Sequence, residues 1–203
     1  KDPELFIQTV KAIAPTFGGI NLEDIKAPEA FEIERRLKEE LNIPIMHDDQ
    51  HGTAIISSAA LLNALEIANK KIEKIKVVVS GAGASALSCA QLYHSLGVKL
   101  ENIFMFDSKG LLCKSRTGLD VMKKQFAVHD KNIEFENAFK KADVFLGLSR
   151  AGLVSKDMIA KMSKNPIVFA LANPEPEISY KQATSVRKDI IMATGRSDHP
   201  NQV

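Results

Sequence analysis

The chain has 203 residues, 45% of them hydrophobic, which is enough for one large core or a domain with an appendage. A formal net charge of +2, with lysines and acids interspersed, argues against nucleic-acid and membrane partners, and no apolar run reaches transmembrane length. Cys89 and Cys113 lack metal-ligand or redox spacing and read as reduced thiols; with no signal peptide in KDPELF, a cytoplasmic location is expected.

Leu5, Phe6, Val10 and Ile13 at helical spacing predict a helix over residues 3–13, broken by Pro15. FGGINLEDI reads as a short strand ending in Glu23-Asp24. APEAFEIERRLKEELN is a helix with Pro28 in its first turn and early acids, as the helix dipole prefers. IPIMH is a short strand, and GTAIISSAALLNALEIAN a largely buried helix. Strands KIKVVVS, ENIFMFD, DVFLGLS, PIVFALAN and DIIMATG then alternate with helical segments ASALSCAQLYHSLG, TGLDVMKKQFA, FENAFKKA, SKDMIAKMS and SYKQATSVRK. Near-continuous apolar strands separated by helices imply a parallel sheet covered on both faces. The expected class is α/β, a doubly wound parallel sheet of Rossmann type with a short N-terminal appendage.

In KVVVSGAGASALSCA, Gly81, Ala82, Gly83, Ala84, Ser85 and Ala86 stand between a buried strand and a helix, the context in which a GxGxxA loop binds a dinucleotide. Gly81 permits the tight turn, Gly83 opens the backbone to a pyrophosphate, and Ala86 keeps the helix close to the sheet. The next strand ends in Asp107, near the roughly 20-residue spacing of a carboxylate that binds the ribose 2′-hydroxyl. A carboxylate there favours NAD, whereas Lys109, assisted by Lys123 or Lys124, could neutralise the 2′-phosphate of NADP. NAD and NADP both remain open.

Acids end the two strands that precede this loop: Glu23 and Asp24, then Asp48-Asp49 in MHDDQHGTA. Taken alone, the second pair suits a helix cap, with Asp49 accepting amides of a helix starting near Gly52. His47 and His51 lack the second cluster of nitrogen or sulfur ligands that zinc would need. The carboxyl ends of parallel strands point to the ligand crevice, so Glu23, Asp24 and one of the later pair can surround one hard ion, Mg²⁺ or Mn²⁺. Ser149, Arg150 and Asn173 follow later strands at the same edge, and Asn173 is a candidate hydrogen-bonder to cofactor or substrate.

GGINLEDIKAPEAFEIERRL, IPIMHDDQHGTA, VVSGAGASALSCAQL, FALANPEPEI and ATGRSDHPNQV together resemble the bacterial malic enzymes over essentially the whole chain. The resemblance implies that Glu23, Asp24 and Asp49 bind the divalent metal, with Asp48 in a supporting role beside the catalytic lysine. It implies oxidative decarboxylation of (S)-malate to pyruvate and CO2 with reduction of NAD or NADP. The general-base lysine and the proton-donating tyrosine of that family belong to an N-terminal region that would precede Lys1, and neither Tyr93 nor Tyr180 sits in the tyrosine's motif. The start at Lys1 and the end at HPNQV accordingly suggest a segment of a longer polypeptide, inactive by itself.

On this reading residues 1–50 are the tail of the substrate- and metal-binding region, and 51–203 the NAD(P)-binding domain. The expected partners are malate and pyruvate, and a second copy of the full-length protein. The rival reading is a non-catalytic nucleotide-sensing module, which would have no use for carboxylates at the two earlier strand ends.

Overall fold

The computed structural model describes residues 2–199 and 201–203. Helix α1, Pro3–Ile13, starts where the Asp2 carboxylate accepts the Glu4 amide and Pro3 fills the first helical position. Strands β1, Ile20–Leu22, and β2, Ile45–His47, pair in parallel with Leu22 opposite His47. Helix α2, Glu29–Glu40, connects them, and Pro28 stands at its cap rather than in its first turn. Ile7, Leu22, Ile33, Leu37 and Ile45 give this N-terminal unit an apolar cluster of its own.

Helix α3, Asp48–Ala68, follows β2 directly and ends at Asn69 in the left-handed conformation. It is not largely buried, contrary to expectation. Leu61, Ala64, Leu65 and Ala68 face the core, while Ile55, Ile56, Leu62 and Ile67 are exposed. A helix apolar on every side gives no periodic signal to say which face is covered.

The main sheet holds β3, Val77–Ser80; β4, Ile103–Asp107; β5, Gly110–Leu111; β6, Val144–Gly147; β7, Ile167–Ala170; and β8, Ile191–Thr194. Their spatial order is β5-β4-β3-β6-β7-β8, parallel throughout except for β5, which runs antiparallel to β4. The doubly wound α/β expectation holds. The two-residue edge strand β5 was not expected; it is too short to carry an alternation signal.

Helix α3 and α4, Ala84–Ser95, cover one face of the sheet. Helices α6, Phe135–Ala138, α7, Lys156–Ala160, and α8, Tyr180–Val186, cover the other. Of the helix expected over TGLDVMKKQFA only α5, Val121–Lys124, forms, because Asp120 caps it by accepting the Lys123 amide. Helix α6 is equally short, with Lys141 left-handed just beyond it. Among the described residues no helix is long and apolar enough to cross a membrane. The chain leaves β3 toward β4 and returns to β6 on the other side, so the crevice for a ligand opens at the carboxyl ends of β3 and β6.

Candidate functional site

Two clefts open at that crevice. The first, about 760 Å³, is lined by Gly81, Ala82, Gly83, Asp107 and Lys109, which are predicted site residues, and by Ser149. Gly81 has φ +111°, and a Cβ there would lie 2.4 Å from the Leu148 carbonyl oxygen, so both conformation and space demand glycine. Gly83 differs: it caps α4 in an extended conformation, and a Cβ there would meet nothing within 4 Å. Its small size leaves the first-turn amides of α4 open to the cleft. Ala84 begins the helix and Ala86 is buried against the sheet.

Asp107 ends β4 and is not a free carboxylate. Arg116 grips it with two parallel bonds, at 2.7 and 2.9 Å, and Lys123 stands 3.8 Å away. Its carboxylate also accepts the Lys109 amide at 2.9 Å. Burial pushes the Asp107 carboxyl up, but Arg116 and the Lys109 amide outweigh it and hold the group below its ordinary value. Lys109 and Lys123 line the cleft beside it. Arg116 was missed at the sequence level, because a lone arginine in a loop carries no spacing signal.

The acids of the first two strands meet at one end of the small sheet. Glu23 and Asp24 follow β1, and Asp48 and Asp49 form the first turn of α3 after β2, so the register of Leu22 with His47 sets the two acidic pairs side by side. The cap expectation for Asp49 fails: α3 begins at Asp48, four residues before Gly52, and its cap residue is His47. Asp49 instead reaches across, and its Oδ2 accepts the backbone amide of Asp24 at 2.9 Å. Asp24 takes φ +56°, a left-handed conformation that costs most residues with a side chain and that Asp tolerates better than most. Asp48 folds back along its own helix, where a Cβ on Gly52 would fall 2.1 Å from its Oδ1.

Of the two histidines only His47 approaches these acids, and His51 turns to Glu34. His47 is wholly buried; the Gln50 side-chain amide nitrogen lies 2.9 Å from its Nδ1 and 3.4 Å from the Glu34 carboxylate. Nε2 has no hydrogen-bond partner and stands 3.5 Å from Asp49 Oδ2. His51 pairs with Glu34 at 2.9 Å.

All-oxygen donors at this edge suit a hard divalent cation in their chemistry. The side chains are not gathered into a ready cage: among the described residues no three His, Cys, Asp or Glu group together to hold a metal. Asp49 Oδ2 is engaged by an amide.

The second cleft, about 330 Å³, is lined by Asp49, Thr53, Ser85, Ser149, Ala172 and Asn173 among others. It brings three predicted site residues from distant parts of the chain together. The Ser85 hydroxyl donates to the Asp49 carbonyl, joining the first turns of α3 and α4. Ser149 lines both clefts, and its hydroxyl lies 2.6 Å from that of Ser80 at the end of β3. Beneath this floor lies Glu177, a wholly buried carboxylate that nothing in the run ANPEPEI distinguishes from Glu175.

Residues 50–202 match the family model described as "Malic enzyme, NAD binding domain", and residues 1–38 match "Malic enzyme, N-terminal domain". The chain is 52% identical to an NADP-dependent malic enzyme of Haemophilus influenzae over its whole length, covering 27% of that protein. It is also 52% identical to an NAD-dependent malic enzyme of Rhizobium meliloti, over 97% of the chain and 26% of the relative. The crystal structure of the NAD-dependent malic enzyme of Thermotoga maritima superposes with a TM-score of 0.92 at 47% identity, covering all of this chain and 54% of that one. The chain thus spans about a quarter to a half of the length of these relatives.

Proposed function

The chain belongs to the malic enzyme family, and from that membership and the two joined clefts we propose that it supplies the dinucleotide- and metal-binding part of a malate-oxidising decarboxylase. In the full-length polypeptide, malate and NAD(P)⁺ become pyruvate, CO2 and NAD(P)H. The observation that carries this reading is the meeting of Asp49, Ser85 and Asn173 in one cleft that continues, through Ser149, into the glycine-loop cleft.

The first cleft suits the adenosine and pyrophosphate half of the cofactor, with Gly81 to Ala86 at the phosphates and Asp107 and Lys109 at the ribose. The nicotinamide half then extends across the switch point into the second cleft, where Asn173 can bind it. Residues of both cofactor preferences are present: Asp107 for a free 2′-hydroxyl, Lys109 and Lys123 for a 2′-phosphate. Relatives of both preferences are found at 52% identity, so NAD and NADP are both carried forward.

Glu23, Asp24 and Asp49 are the proposed ligands of Mg²⁺ or Mn²⁺, with residues 1–50 as the end of the substrate region and 51–203 as the nucleotide domain. When bound, such a cation lowers the pKa of the malate hydroxyl and stabilises negative charge on that oxygen after decarboxylation. The chain's own part is to hold C2 of malate against the nicotinamide, with Asp48 beside it in a supporting role. The general base and acid come from the N-terminal region. The exposed face of α3, with Ile55, Ile56, Leu62 and Ile67, supports the expectation of a homo-oligomer.

The test is an assay of the full-length polypeptide with malate, Mn²⁺ and either NAD or NADP, following reduced cofactor and pyruvate together. Equal amounts of both, lost on chelation, support the reading. Nucleotide binding without turnover would support a sensing module instead.

A further inference from the structure

The carboxylate of Glu177 sits under the floor of both clefts. It is 0% exposed, and its two oxygens accept different backbone amides: Oε1 that of Ser149 at 3.0 Å, and Oε2 that of Ala172 at 3.1 Å. Ser149 follows β6 and Ala172 follows β7, so one side chain ties together the chain segments leaving two neighbouring strands. Space for it is made at Gly147, the last residue of β6, where a Cβ would lie 2.4 Å from the carboxyl carbon. The Glu177 carbonyl also accepts the Val154 amide at 3.0 Å, fastening its own backbone to the loop after β6.

The two amides it holds belong to the residues that shape the second cleft. Ser149 lines both clefts and reaches Ser80 beside the glycine loop, and Ala172 places Asn173. The only groups of the described residues that grip the carboxylate are backbone amides, with no cation among them. Burying a carboxylate without a cation is costly unless amides compensate. An apolar side chain would fill the volume more cheaply but could not accept from either amide, leaving two buried donors unsatisfied.

We propose that Glu177 is a positioning residue for the nicotinamide half of the cofactor: it sets Ser149 and Asn173 at the second cleft by bridging the amides that follow β6 and β7. This rests on the reading that the first cleft takes the adenosine half. Burial also pushes the Glu177 carboxyl above its ordinary 4.5, against the favourable pull of the two amides. A raised acid pKa in the folded state makes Glu177 cost stability as pH rises from 4.5 through the raised value. Retaining a residue with that cost at the floor of a ligand cleft accords with a role in the site.

The test compares two ligands in the full-length polypeptide by calorimetry: the whole dinucleotide, and ADP-ribose or its 2′-phosphate, which lacks the nicotinamide. Glu177→Gln keeps the shape but turns an NH2 group toward one of the two amides. It should weaken the dinucleotide at least about tenfold and ADP-ribose less than about threefold. Asn173→Ala, at an exposed position that lines the second cleft but not the first, keeps the fold and should weaken the dinucleotide a few-fold while leaving ADP-ribose unchanged. Equal losses for both ligands, or none, in Glu177→Gln would overturn the proposal. If that variant does not fold, unchanged dinucleotide affinity in Asn173→Ala overturns it alone. Failure of the wild-type protein to bind either ligand would instead refute the nucleotide reading beneath it.

Discussion

The Asp49 carboxylate accepts the backbone amide of Asp24 at 2.9 Å, so the turn after β1 and the first turn of α3 are joined directly. Asp24 pays for this with a left-handed conformation, φ +56°, that glycine would adopt freely. The Asp24→Gly substitution therefore separates conformation from charge. It should leave the melting temperature unchanged or raise it, since it relieves a backbone cost of about 1 kcal/mol. It should also weaken Mn²⁺ binding at least about tenfold, or ~1.4 kcal/mol, through loss of a ligand. Unchanged Mn²⁺ affinity would remove Asp24 from the ligand set.

The two glycines of the loop should respond oppositely. Gly81→Ala sets a Cβ against the Leu148 carbonyl at φ +111° and should destabilise the fold by about 1–2 kcal/mol or more. Gly83→Val faces open space, so the protein should fold nearly as wild type while NAD(P) binding weakens about tenfold. Wild-type NAD(P) affinity in a folded Gly83→Val protein would take the loop out of the site.

On the proposed reading, cofactor preference turns on the cations around Asp107. Its charge is already offset by the bidentate Arg116, so the repulsion it offers a 2′-phosphate is reduced. Lys109 is then the side chain on the cleft wall most free to read that phosphate. Lys109→Ala should raise KM for NADP about tenfold and leave KM for NAD nearly unchanged. A similar rise for both cofactors would make Lys109 a source of general electrostatic attraction only.

Gly52 gives a way to disturb Asp48 without touching Asp49. Gly52→Ala puts a Cβ where the Asp48 carboxylate lies, so that group must rotate away. Malate turnover in the full-length polypeptide should fall several-fold while Mn²⁺ affinity stays near wild type. Loss of both in parallel would mean that Asp48 and Asp49 act as one unit.

The parallel sheet and the glycine loop were legible because their signals are local and repeated. Val77 to Val79 and Val144 to Leu146 are uniformly apolar, and Gly81 and Gly83 stand between strand and helix. The acids at the ends of β1 and β2 could be listed from the sequence, but their relation depends on a register between strands about 25 residues apart. That distance also hid the failure of the cap: only the start of α3 at Asp48 decides it. Arg116 and Glu177 were invisible for a related reason. Each acts through one long-range contact, with Asp107 or with the amides of Ser149 and Ala172, and neither contact leaves a periodic trace. The exposed side of α3 was misread because burial was inferred from composition alone.

The most direct measurement is the Mn²⁺ affinity of Asp49→Asn in the full-length polypeptide, read by electron paramagnetic resonance alongside malate-dependent NAD(P) reduction. Asparagine keeps a side-chain oxygen that can still accept the Asp24 amide, so the contact seen here survives and only the charge is lost. Losing a negative charge from the first turn of α3 should cost under about 1 kcal/mol of stability. The account predicts at least about tenfold weaker Mn²⁺ binding and a matching fall in turnover, with the fold intact. Wild-type Mn²⁺ affinity and wild-type turnover in a folded Asp49→Asn protein would contradict it.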